Sequence, residues 1–158
     1  MKNKTPNWFL KPLNEMTEKQ WEQLCDRCGL CCIYKIENQK GEFFLTDVAC
    51  KYLDIQSISC QSYLDRSKNQ SLCKVLTPDN IEENLSWLPE TCAYRRRFKK
   101  LPLPDWHPLI SKCSKSLSKA GIDIRNKVIS ENFLPEIDWE EHIVQNDYFF
   151  LKNSGYSS

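Results

Sequence analysis

The sequence predicts a small, irregular α+β fold of short helices, one hairpin and many loops. Three observations carry that prediction. The chain has 158 residues, the length of one domain. Hydrophobic residues make up 41% against 27% charged, and the mean hydropathy is −0.58, so the core is modest. Nine cysteines are present, and they are the kind of residue that holds a fold together where hydrophobic burial is thin.

The elements follow in order. Thr17-Glu18-Lys19-Gln20 has the form of a capping box, and Trp21, Leu24 and Cys25 follow at helical spacing, so a short helix is expected to deliver the chain to Cys25. Ile33-Tyr34-Lys35-Ile36 and Glu42-Phe43-Phe44-Leu45 flank the polar Asn38-Gln39-Lys40-Gly41, the pattern of a hairpin. Thr77 before Pro78 reads as a cap with proline in the first turn, placing a helix through Ile81 to Leu85, and another is expected after Pro89. The prolines of Leu101-Pro102-Leu103-Pro104-Asp105-Trp106-His107-Pro108 forbid a regular helix and predict an extended surface strap whose aromatic packs down. Ser114 to Ala120 before Gly121 predicts a helix with a left-handed cap, and Ile122 to Ile129 a late strand. From Glu131 onward six acids face one lysine, and the serine-rich end is expected to be loose.

The balance of 22 basic against 21 acidic residues excludes a wholesale polyanion binder. The charged start of the chain has no apolar run behind it, so no signal peptide is expected, and no apolar stretch approaches the 18 or so residues that span a bilayer. A cytoplasmic location without a membrane follows as the expectation. There thiols stay reduced, and a cysteine-rich chain points to metal or redox chemistry before disulfides.

The informative stretch is Cys25-Asp26-Arg27-Cys28-Gly29-Leu30-Cys31-Cys32, followed by single cysteines at Cys50, Cys60, Cys73 and Cys92. Two cysteines separated by two residues can bend round one cation so that both sulfurs meet it at about 2.3 Å. Cys25, Cys28 and Gly29 fit that knuckle, the glycine freeing backbone amides to point at sulfur. A core filled with small thiols is a poor explanation of four so closely spaced. Neighbouring side chains diverge in a regular element, so Cys31 and Cys32 are expected to serve different centres or a bridged cluster. The candidate ligands are therefore Cys25, Cys28, Cys31, Cys32, Cys50, Cys60, Cys73 and Cys92, enough for two four-sulfur sites or one polynuclear assembly. Zinc or iron, including an iron–sulfur cluster, suits such a set, and the fold is expected to be organised around the ligated metal.

The stretch Trp21 to Cys32 resembles the YcgN-like cysteine-cluster family, among the zinc- or iron-chelating CxxCxxCC proteins. The resemblance continues through Thr46-Asp47-Val48-Ala49-Cys50, Leu76 to Asn80, Trp87 to Arg95 and Trp106 to Ser111, and ends near Ala120-Gly121-Ile122. It covers residues 18–131, the cysteine-cluster region of a single domain 1–158, with an N-terminal extension 1–16 and an acidic C-terminal extension 132–158. It implies small bacterial metal-binding proteins and supplies no reaction or catalytic residue. Two departures stand out: Arg27 replaces the family's usual glycine, and Cys113 has no counterpart, so it is expected to ligate nothing. The Arg27 side chain is expected in solvent.

His107 reads as a structural histidine or, at most, a donor to a ligand, and His142 as chemically idle. Arg95-Arg96-Arg97-Phe98-Lys99-Lys100 supports an alternative reading, a zinc-stabilised module that binds nucleic acid or an acidic protein, against the plainer one of cations at a helix end. No phosphate loop, His-Glu-x-x-His or nucleophile elbow is present, so no catalytic motif argues for an enzyme.

Overall fold

A computed structural model describes residues 7–70, 72–145 and 147–149. After short 3-10 turns at Trp8–Leu10 and Leu13–Glu15 come α1 (Glu18–Leu24) and a 3-10 turn at Leu30–Cys32. The strands β1 (Ile33–Glu37), β2 (Phe43–Ala49), β3 (Leu53–Asp54) and β4 (Ser59–Cys60) precede the helices α2 (Arg66–Asn69), α3 (Ile81–Asn84), α4 (Ala93–Phe98), α5 (Pro108–Ser111) and α6 (Ser116–Ala120). The strand β5 (Ile129–Ser130) and two 3-10 segments, Glu131–Phe133 and Glu136–His142, follow. This is a small mixed α and β architecture, as the composition predicts. No helix among the described residues is long and apolar enough to cross a membrane.

The chain divides into two compact units, so the 18–131 region contributes to both. The first comprises Met1–Asp26 and Leu76–Ser114. Its core is Phe9, Trp21, Leu24, Ile81, Leu88, Ala93, Tyr94 and Leu103. The capping box forms as expected: Thr17 Oγ1 accepts from Gln20 N at 3.2 Å, and Gln20 Oε1 accepts from Thr17 N at 3.0 Å. That cap starts α1 and aims Trp21 and Leu24 inward. Trp21 stacks on Tyr94 with centroids 4.3 Å apart, its Nε1 donates to the Leu76 carbonyl, and the Tyr94 hydroxyl donates to the Trp21 carbonyl. Trp21 and Tyr94 thus both have their polar atoms satisfied.

Thr77 does not cap α3 directly. It pairs with Asn80 instead, Thr77 N donating to Asn80 Oδ1 at 2.8 Å and Asn80 N to Thr77 Oγ1 at 3.2 Å, and the closed turn delays the helix to Ile81. The proline-rich segment is more buried than a surface strap, with Leu103, Pro104 and His107 all inside. The N-terminal segment likewise joins the core through Phe9.

The second unit comprises Arg27–Val75 and Lys115–Ser158. The predicted hairpin forms from β1 and β2, with Ile36 opposite Phe44 and Lys35 opposite Leu45. Asn38 organises its turn by accepting from Lys40 N and Glu42 N on Oδ1, and Gly41 takes φ +77°. A register irregularity between Ile33 and Lys35 is stabilised by the fully buried Thr46, which donates to the Tyr34 carbonyl at 2.6 Å and accepts from Val48 N. β5 adds parallel to β2, and β3 pairs antiparallel with β4.

Gly121 caps α6 with φ +71°, as predicted. The late strand over Ile122 to Ile129 does not form; only Ile129–Ser130 pair with β2. Asp123 Oδ1 accepts from Arg125 N, Lys127 N turns back to the Ile124 carbonyl, and Asn126 sits at φ +63°, so local turn bonds outcompete extension. The described part of the acidic extension packs onto the hairpin. Trp139 lies 4.2 Å from Tyr34, Val144 N donates to the Leu45 carbonyl, and Phe149 is fully buried. The expected loose serine-rich end, 151–158, lies outside the described residues.

Candidate metal centre

The second unit gathers thiols through backbone geometry. Gly29 adopts φ +84° and opens the 3-10 turn that carries Cys31 and Cys32. A Cβ there would meet Ile124 Cδ1 at 2.8 Å and Ile58 Cγ2 at 2.9 Å, so the glycine is required both by its dihedral and by the two isoleucines. The hairpin register sets Ile33 opposite Ala49, and one step further Cys50 N donates to the Cys32 carbonyl at 2.9 Å. Leu53 N turns back to the Cys50 carbonyl, and Leu53 pairs with Cys60 in the small β3–β4 ladder. Cys73 N donates to the Gln70 carbonyl, and the Gln70 side chain reaches the Tyr34 hydroxyl at 2.6 Å.

Electrostatics follow from this gathering. A hydrogen bond with Cys31 holds the Cys32 thiol far above its ordinary range, with burial adding to it and negative charge on Cys31, Cys50 and Cys60 raising it further. Cys73 is raised by burial and by Cys31, Cys60 and Cys50, against the pull of Arg66. Cys32 and Cys73 therefore each lie in a field set partly by neighbouring thiols. The Tyr34 phenol is also pushed up, first by burial, then by its hydrogen bond to Glu131 and by the charge of Cys50. Tyr34 donates to Glu131 Oε1 at 2.9 Å, the oxygen that also accepts from Lys51 N at 2.8 Å. This network ties β1 to the backbone just after Cys50.

The adjacent pair ends the 3-10 turn Leu30–Cys32 rather than lying in a regular element, and it is Cys31 that most raises the Cys32 thiol.

The remaining candidates stand apart from this set in character. Cys28 is buried in the second unit, where its carbonyl accepts from Ile124 N at 3.2 Å. In the first unit Cys25 ends α1 and Cys92 precedes α4, and both pack half-buried against the aromatic core. Cys113 N donates to Ser111 Oγ in the same unit. No cysteine among the described residues is in a disulfide.

His107 has both ring nitrogens in use. Nδ1 accepts from Leu109 N at 3.0 Å, capping α5, and Nε2 therefore donates to the Leu24 carbonyl at 2.8 Å. That fixes the neutral tautomer with its proton on Nε2 and leaves no lone pair for a metal. His142 has a structural partner: its Nδ1 lies 2.8 Å from Asp47 Oδ1.

The basic run is also put to structural use. Arg95 Nη1 donates to the Leu85 and Leu88 carbonyls, Arg96 Nε to Pro102, and Arg97 Nε to Phe9 at 2.7 Å. Sequence reasoning missed these clamps because a backbone carbonyl acceptor leaves no residue-type signature.

The fold and this thiol field define a cysteine-rich α+β protein in which local backbone turns bring distant cysteines together. Three relatives say which one. A UPF0260 protein of Vibrio vulnificus is 46% identical over 146 residues, covering 91% of this chain and 99% of that protein. One of Marinobacter nauticus is 45% identical over 140 residues, covering 88% and 94%, and one of Vibrio atlanticus 42% over 142, covering 89% and 96%. The chain belongs to the UPF0260 family. No family model matches it, and no solved structure does. The relatives' names state no activity, ligand or partner.

Proposed function

We propose that this is a cytoplasmic metal-binding protein whose centre is built on Cys31, Cys32, Cys50 and Cys60, with Cys73 beside them. The observation that carries the reading is the backbone bond that sets Cys50 beside Cys32, where the half-buried Cys32 thiol has its proton affinity raised by Cys31, Cys50 and Cys60. A cation reverses that penalty, because thiolates too close to ionise alone become ligands together. Among the described residues no three His, Cys, Asp or Glu side chains converge closely enough to hold an ion as they stand, so binding requires side-chain rotation about χ1. The donor set still fits a soft or borderline ion, since it is all thiol and partly screened from water.

Zinc would lend this site a closed thiolate anchor, and iron, alone or as an iron–sulfur cluster, would lend it redox chemistry. The chain's own part is independent of that choice. The Cys50–Cys32 backbone bond fixes two donors across the hairpin, and the Glu131 carboxylate holds Tyr34 beside them. The finer resemblance to the YcgN-like cysteine-cluster proteins supports the same reading. For Cys25, Cys28 and Cys92 the proposal rests on sequence spacing alone.

The test is elemental analysis and visible spectroscopy of anaerobically purified protein. Brown material with acid-labile sulfide selects the cluster, and colourless protein with stoichiometric zinc selects a thiolate site. Cys32→Ser and Cys50→Ser should each lose metal while Cys113→Ser keeps it. Equal metal content in all three variants overturns the reading.

A further inference from the structure

The end of α4 forms a cleft lined by Glu90, Arg95, Arg96, Lys99 and Leu101. Its shape comes from a reversal of the chain: Lys100 adopts φ +57°, and Leu101 N folds back to the Arg96 carbonyl at 2.8 Å. Three cations and one carboxylate thus border a single concavity, and among the described residues none of them forms a salt bridge.

The plain account of such cations is attraction to the helix C-terminus. Arg95 and Arg96 are arranged otherwise. Arg95 spends Nη1 on the carbonyls of Leu85 and Leu88, and Arg96 spends Nε on that of Pro102, none of which belongs to α4. A guanidinium carries five N–H donors, so Nε and Nη2 of Arg95 and both Nη of Arg96 remain without an acceptor among the described residues. Both side chains are half-buried and held by carbonyls rather than moving freely in water. The entropy of fixing them is already lost on folding, which is what a preorganised fork for a tetrahedral oxyanion requires. Lys99 is exposed and adds a mobile point charge.

We propose that this cleft binds a phosphoryl group, gripped by the spare donors of Arg95 and Arg96 and closed over by Lys99. Phosphate fits better than carboxylate because three cations against the single charge of Glu90 leave a surplus that a dianion neutralises. Glu90 lowers the affinity and sets a threshold: a monoanion gains little there. The group arrives either as free phosphate or a small phosphate ester, or on a nucleic-acid strand; the recognising chemistry is the same.

The experiment titrates the full-length protein with inorganic phosphate by calorimetry at low salt, and separately with a single-stranded oligothymidylate across a salt series. Glu90→Gln and Lys99→Ala are the variants, both at exposed positions and outside the carbonyl clamps, and urea unfolding checks that each folds as the parent does. Removing one charge at such a contact changes affinity by about 3- to 10-fold. Glu90→Gln should tighten binding and Lys99→Ala weaken it. Saturable phosphate binding that moves in these opposite directions supports the site with free phosphate as its source. Oligonucleotide binding that moves the same way and falls steeply with salt, without phosphate binding, supports the site with a strand as its source. No binding of either probe, or binding indifferent to both substitutions, overturns the proposal.

Discussion

The two units of this chain solve the problem of a small core differently. The first buries an aromatic cluster and holds several buried polar groups on backbone partners: the Trp21 indole on Leu76, the Tyr94 hydroxyl on Trp21, the His107 ring between Leu24 and Leu109, the arginines on carbonyls. The second sets the half-buried Cys32 and Cys73 among thiols that raise their proton affinity. One region is held by side chains bonded to backbone; the other sets thiols in one another's field.

The largest expected effect lies at Gly29. Gly29→Val places a branched side chain at φ +84° against Ile124 and Ile58, so overpacking and backbone strain together should cost about 3 kcal/mol or more. Urea unfolding should show it, with loss of metal from the same unit. A stable, metal-replete variant would mean that the turn is more adaptable than the thiol field implies.

His107→Ala tests the opposite unit. It strips the cap from α5 and leaves the Leu24 carbonyl and Leu109 N–H without their buried partner, a loss of about 2–3 kcal/mol. Metal content per folded molecule should stay that of the parent. Metal loss without destabilisation would make His107 a ligand after all.

A smaller change of opposite sign is expected at Arg27, which occupies φ +59° where the resembling family has glycine. Arg27→Gly should stabilise the chain by about 1 kcal/mol, read as a higher denaturant midpoint, because left-handed backbone strains a residue with a Cβ. An unchanged or lower midpoint would show that contacts of the Arg27 side chain outweigh the strain.

The smallest effect is in pH dependence. Burial holds Lys127 below the ordinary lysine range, with Asp123 partly offsetting it, and its ammonium donates to the Gly121 and Phe149 carbonyls. The folded chain therefore releases this proton at lower pH than the unfolded chain does. In that interval the unfolded state binds more protons, so the contribution of Lys127 to stability rises with pH towards the ordinary lysine value near 10.4. The stability of the parent minus that of Lys127→Met should be greater at pH 10 than at pH 7. A difference flat with pH would place Lys127 in a wetter setting than its two carbonyl bonds suggest.

What the sequence disclosed was local. Thr17 and Gln20, Asn38 and Gly41, and Gly121 each act within four residues, and their elements appear where expected. The Cys32–Cys50 neighbourhood was out of reach, because the regular register from Lys35 and Leu45 runs to Ile33 opposite Asp47, and only the irregularity before Lys35 sets Ile33 opposite Ala49. The helix at Ile81 appears where expected, but its Thr77 cap and the late strand do not, for one cause: Thr77 with Asn80, and Asp123 with Arg125, close side-chain turns that compete with cap or strand. Long-range packing was invisible. Nothing in the acidic tail's composition announces that Trp139 stacks on Tyr34 or that Phe149 is buried.

That last contact fixes an order of events during synthesis. All five clustered thiols have been made once Cys73 is added, yet β5 and Trp139, which complete the sheet and cover Tyr34, come only at residues 129–139. At the usual 5–20 residues per second the ribosome needs roughly 3–13 seconds to cross that gap. For that interval the nascent chain carries all five thiols before the segment that packs against Tyr34 exists, so their neighbourhood is the last part of the sheet to be finished.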